Sequence, residues 1–255
     1  PPDLRLALMT IFRNSFRNFF VVTACLIFTG LALAQVPDYL EIGDLSLASV
    51  GSNVPAGWKP RTFMRIKRHI LCRVVEYGDH HVVKAESDRS ASGLVNNLKI
   101  DLRENPIIEW RWKPANLIAK ADPRHKESDD YPARIYITFA QDQSKLSFTD
   151  EIARKISGQD IPDSGLNYIW DNKTPIGTVL PNAYTERLRM VVVQSGGHKL
   201  NQWQSEQRNV LEDYRKAFGA EPPLISGVAV MTDTDNTGES ATAWYGDLRF
   251  KKAPR

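Results

Sequence analysis

Apolar and polar residues alternate with a period of two along most of the chain, the spacing that sends successive side chains to opposite faces of an extended strand. In "ARIYITFA", Ile135, Ile137 and Phe139 fall on one face and Arg134, Tyr136 and Thr138 on the other. In "IIEWRW", Ile108, Trp110 and Trp112 oppose Glu109 and Arg111. The same pattern runs through "LKIDL" (Leu98, Ile100, Leu102), "LNYIW" (Leu166, Tyr168, Trp170) and "RLRMVVVQ" (Leu188, Met190, Val192), each reading as a half-buried strand. Gly, Pro, Asn and Asp clusters such as "GSNVPAG", "DNKTPIG" and "QSGGHK" punctuate these runs. About ten such strands without alternating helices predict antiparallel sheets packed face to face, a mainly β sandwich or jelly roll, and argue against parallel β/α units.

One segment follows a helical period instead. In "RNVLEDYRKAFGAEPP", Asn209 is a cap with Glu212 three residues on, Val210, Leu211, Tyr214 and Phe218 form one apolar stripe, and Gly219 with Pro222 and Pro223 ends the run. A shorter helical turn is expected in "FTDEIARKI", capped by Thr149 and ending at Ile156. The sandwich is therefore expected to carry one or two helices.

The amino end differs from both patterns. "MTIFRNSFRNFFVVTACLIFTGLALAQ" has the three zones of a secretory signal: Arg13 and Arg17, then an apolar stretch from Phe19 to Gly30, then Ala32-Leu33-Ala34 as a small-residue cleavage site. This assigns residues 1–34 to a cleaved signal peptide, with 1–8 as an extension upstream of Met9, and 35–255 to one β-sandwich domain. The expected location is periplasmic or secreted, with no membrane span in the mature chain. The apolar stretch is shorter than the roughly 20 residues a spanning helix needs. "VTAC", ending at Cys25, resembles a lipoprotein cleavage box, but the apolar run continues past it.

Charge adds little. With 33 basic and 30 acidic side chains the formal net charge is +3, which argues against a broad basic field for nucleic acid. Of two cysteines only Cys72 follows the signal segment, so no internal disulfide is expected. In "RHILCRVVEY" that thiol reads as a core position, with His69 on the opposite strand face.

Four constellations bear chemistry. In "MTDTDNTGESATAWYGDLRF", Asp233, Asp235, Thr237 and Gly238 match the first half of a calcium loop, but the twelfth place holds Trp244 where a bidentate Glu belongs. A structural calcium would need further oxygens, from Glu239, carbonyls or Asp247. The expected metal ligands are Asp233, Asp235 and Asp247, and the alternative is a turn whose side chains bond their own backbone. In "ESDDYPARIYITF", Asp129 and Asp130 are adjacent carboxylates that a cation or Arg134 would offset, and with Glu109 they could form a glycoside-cleaving pair. Tryptophans and tyrosines near strand ends suit stacking on sugar rings. The expected ligand contacts are Trp203, Tyr245, Asp130, Arg134 and Arg208. In "WQSEQRNVLEDY", Glu206, Arg208, Asn209 and Asp213 crowd a helix start, as a cap with an Arg–carboxylate brace or as an anion site. HExxH, GxSxG and phosphate-binding Gly loops are missing, and the five histidines show no ligand spacing.

Taken together, "WRWKP", "DDYPARIYITF", "LNYIW", "WQSEQRNVLEDYRKAFG" and "PPLISGVAVMTDTDNTGESATAWYGDLRF" resemble domain-of-unknown-function family 3047, over a span from near residue 54 to Phe250. That resemblance implies an exported protein of unassigned activity and carries over no catalytic residue. More loosely, "ATAWYGDLRF" looks like the closing strand of jelly-roll carbohydrate-binding modules, which implies a structural calcium near Asp247. The leading functional expectation is non-catalytic binding of a polysaccharide or other envelope component. The alternatives are a glycan-cleaving enzyme and an assembly protein of the envelope.

Overall fold

Alternation is realised as thirteen strands among the described residues, which are 39–43, 45–63, 66–140 and 164–254 of a computed structural model. The signal segment, Cys25 and the "FTDEIARKI" turn lie outside those residues. The strands are β1 (Tyr39–Glu41), β2 (Lys59–Arg61), β3 (Leu71–Tyr77), β4 (His80–Asp88), β5 (Gly93–Ile100), β6 (Ile107–Pro114) and β7 (Arg134–Phe139). Then come β8 (Ser164–Asp171), β9 (Val179–Pro181), β10 (Leu188–Ser195), β11 (Gln204–Asn209), β12 (Ile225–Met231) and β13 (Ser240–Lys251).

They form two sheets. One runs β11-β6-β13-β4-β3, with β1 pairing the far end of β13; the other runs β2-β5-β12-β7-β8-β10-β9. Among the described residues the fold is a mainly β sandwich with one α-helix. Its pairings are antiparallel except β8 with β10, which run parallel because the chain from Asn172 to Arg187 returns to the start of the sheet before β10 begins. That parallel pair was not legible in the two-residue period, which carries no strand direction.

The inward faces form the core predicted from alternation. Ile108, Trp110 and Trp112 of β6 meet Leu166, Tyr168 and Trp170 of β8 across the sandwich. Trp110 stacks on Tyr168 at 5.3 Å and Trp112 meets Trp170 edge-on at 5.9 Å, so aromatic pairs bolt the two sheets together. β8 and β10 depart from half-burial: their second face also packs, in a small cluster of Tyr131, Ile169, Met190 and Val192. The inward apolar face of β10 is Val191 and Val193, so the Met190 and Val192 face read from the sequence lies on the opposite side.

Helix α1 (Val210–Phe218) follows β11 directly. Asn209 accepts a hydrogen bond from the Glu212 amide at 3.2 Å, and Gly219 closes the helix in the left-handed region at φ 66°. Val210 and Tyr214 bury against the core, Tyr214 meeting Phe139 at 4.6 Å. Cys72 packs against the core and burial pushes its thiol up to about 12, which removes it from nucleophilic chemistry.

Candidate functional site

Two regions concentrate chemistry-bearing side chains. The first lies at one end of the sandwich, where the loop entering β7 meets the loop between β12 and β13. Asp130 is fully buried and accepts hydrogen bonds from the Thr237 amide at 2.6 Å, the Asn236 amide at 3.3 Å and the Asn236 side chain at 3.1 Å. Asp233 pairs with the Arg134 guanidinium and accepts from the Tyr131 amide at 3.3 Å. Arg134 lies between the rings of Tyr131 and Tyr136, at 5.2 and 5.1 Å. Asp129 accepts from the Tyr131 hydroxyl at 3.0 Å and from Asn182 at 3.2 Å. Gly238 takes a φ of 72° and its amide closes on the Thr234 carbonyl at 3.0 Å, which shapes the segment as a turn.

Asp130, Asp233 and Asp235 bring oxygens within 4.8 Å of one another, so two of the three expected metal ligands do converge. Asp247 does not join them. β13 carries a bulge between Tyr245 and Leu248, and Asp247 lies there, accepting from the Ser46 amide at 2.9 Å. That is seven residues, roughly 23 Å of strand, beyond Ser240. The donor set does not fit calcium, which takes six to eight oxygens. Asp130 already accepts three hydrogen bonds from the loop, and Asp233 already faces a cation of the chain itself, Arg134. Burial pushes the Asp233 carboxyl well up, against the pull of Arg134 and with Asp130, Asp129 and Asp235 adding to the rise. Burial raises Asp129 and Asp235 in the same direction.

The hydrolytic pairing fails on geometry as well. Glu109 lies on the outer face of β6, held by Arg249 at 2.8 Å and by Lys251. Its register partner is Arg249, nine residues along β13 from the loop that holds Asp130, or roughly 30 Å of strand. Paired glycosidase carboxylates stand within about 10 Å.

Three of the five expected ligand contacts are buried, and a fourth, Arg208, is engaged at the helix start. Tyr245 is fully buried and its hydroxyl bonds the Met231 carbonyl at 2.6 Å and Thr232 at 2.8 Å. Asp130 and Arg134 belong to the buried cluster. Arg208 braces Asp213, which also accepts from the Tyr168 hydroxyl at 2.9 Å, so the helix start is a cap and brace. Trp203 alone reaches the second region.

That second region is the outer face of the six-stranded sheet. Lys113 of β6, Trp244 of β13 and Lys84 of β4 stand side by side in register. The end of β3 brings Tyr77, 42% exposed, over the same face, and Trp203 approaches from the chain before β11. The Lys113 ammonium lies 4.2 Å from the Tyr77 ring, 4.2 Å from Trp244 and 5.7 Å from Trp203. Arg111 lies 5.2 Å from Trp203 and crosses β13 where Gly246 offers no side chain. A Cβ there would fall 2.3 Å from the Arg111 Nε. The Lys113 ammonium beside Tyr77 holds that phenol below its ordinary range. Sequence reasoning missed Tyr77, Arg111 and Lys113, and it grouped Trp244 with the aromatics near strand ends without naming it as a contact. The signal was present in "WRWKP": once Trp110 and Trp112 point inward, Arg111 and Lys113 must point out. In "ATAW", Ala241 and Ala243 take the inner face and Trp244 the outer.

A family model described as "Protein of unknown function (DUF3047)" matches residues 56–249. No curated protein matches the chain. Among solved structures, a family 29 carbohydrate-binding module complexed with cellulohexaose is 8% identical, at a TM-score of 0.34, covering 83% of this chain and 89% of that one. Endoglucanase 3 of family GH12 from Trichoderma harzianum is 10% identical, with a TM-score of 0.40 and coverage of 85% and 98%. A Stig cyclase from Fischerella sp. TAU is 10% identical, with a TM-score of 0.35 and coverage of 85% and 100%. These are likenesses of fold.

Proposed function

The chain belongs to the DUF3047 family of proteins of unknown function, and from that premise we propose that it is exported and binds a glycan or other envelope polymer without cleaving it. The polymer lies on the outer face of the six-stranded sheet. One observation carries this reading: Tyr77, Trp203 and Trp244 gather on a solvent-facing sheet surface around Lys113, outside the core that uses the other tryptophans. Such rings combine flat apolar area with neighbouring donors, the chemistry that recognises a sugar face and its hydroxyls. The carboxylates that hydrolysis would need are bound up elsewhere, Glu109 in ion pairs and Asp129 and Asp130 in the end cluster.

Incubating the domain with immobilised polysaccharides and assaying both retention and new reducing ends tests the reading. Retention without new ends, lost on Trp244→Ala in a folded variant, is the expected result. Release of reducing ends would make it an enzyme, and absence of retention across the set would overturn glycan binding.

A further inference from the structure

The outer-face platform carries more positive charge than it neutralises. Lys84 is paired with Glu86 at 2.7 Å. Among the described residues, neither Arg111 nor Lys113 has a carboxylate partner. Lys113 is 8% exposed as a whole residue, its stem covered by the rings around it. Ring quadrupoles attract its charge without cancelling it, which leaves the ammonium open to an ionic partner. Arg111 is set beside it by the gap at Gly246, its guanidinium against Trp203 and its planar donors suited to a carboxylate or sulfate. Ser205, the residue opposite Arg111 on β11, adds no acid.

Building on the glycan-binding reading above, we infer that the platform takes an anionic polysaccharide, one whose sugar rings stack on Trp203 and Trp244 while their carboxylate or sulfate groups meet Lys113 and Arg111. The rings set the lie of the chain and the two cations select its charge. Neutral glycans of the same backbone lose the second term and bind more weakly.

Affinity electrophoresis with polygalacturonate, its fully methyl-esterified form, dextran sulfate and dextran separates the alternatives. The wild-type domain is expected to bind polygalacturonate or dextran sulfate at least tenfold more tightly than the neutral counterpart, and the two anionic probes tell carboxylate from sulfate. Lys113→Met is expected to reduce anionic binding about tenfold, the loss of one charge-assisted contact, and to reduce neutral binding by a smaller factor. Should that buried variant fail to fold, Arg111→Gln on the more accessible side reports the same selectivity. Equal retention of anionic and neutral probes would overturn the charge inference and leave glycan binding standing. Anionic retention unchanged in both variants would overturn the assignment of the site. No retention of any probe by the wild type would overturn this inference, and the glycan reading with it only if the wider neutral panel also fails.

Discussion

The end cluster and the outer-face platform hold comparable numbers of charged and aromatic side chains, yet they dispose of them in opposite ways. In the cluster, acids outnumber cations, and each carboxylate of Asp129, Asp130 and Asp233 is bound by donors of the chain itself. On the platform, cations outnumber acids, and rings rather than carboxylates hold them. Carboxylates that the chain's own donors bind build a scaffold. Cations left without an ionic partner on an open sheet are free to meet a ligand.

The strongest test of that contrast removes the cation that faces Asp233. Arg134→Met leaves Asp233 buried beside Asp130 without its counter-charge, and is expected to cost about 3–5 kcal/mol in urea unfolding. Polysaccharide retention by the fraction that stays folded should be unchanged. If retention falls while stability holds, the roles of the two regions are reversed.

Trp203→Ala is the mirror experiment. It removes an edge-on partner of Tyr77 and the ring over Arg111, and is expected to weaken retention about tenfold, near 1.4 kcal/mol, with a stability loss of about 1 kcal/mol. Stability loss without weakened binding would place Trp203 in the scaffold.

A smaller effect sharpens the picture of the cluster. The Asp235 carboxyl is raised by burial and by facing acids, so its protonated form is favoured in the fold. Stability from this group is therefore greatest near and below its ordinary range and declines as pH rises through the raised value. Asp235→Asn stays neutral throughout. Its melting temperature is expected to exceed that of the wild type by about 1–2 °C at pH 7.5 and to match it at pH 4. A gain that does not depend on pH would argue against carboxylate repulsion as its cause.

The smallest expected effect is none. With Arg134 as the cluster's cation, adding millimolar calcium after chelation should leave the melting temperature within about 1 °C, since a ligand stabilises only a state it binds. A clear rise would restore the loop as a calcium site.

Much of this architecture was legible in the chain itself. Local alternation identified the inward rows Ile108–Trp110–Trp112 and Ile135–Ile137–Phe139, the helix with its Asn209 cap and Gly219 stop, and the resemblance to the family that the match over residues 56–249 bears out. These properties depend on neighbours a few residues apart, where the two-residue and 3.6-residue periods act. Which distant groups meet was another matter. Asp130 reaches Thr237, and Tyr77 reaches Lys113, only through strand order and register. One bulge on β13 changes the facing of every residue after Tyr245, and Asp247 lies seven residues along that strand from Ser240, away from the acids it was expected to join. Alternation is a local property that the sequence determines. Convergence depends on pairing between strands far apart along the chain, which only the assembled sandwich decides.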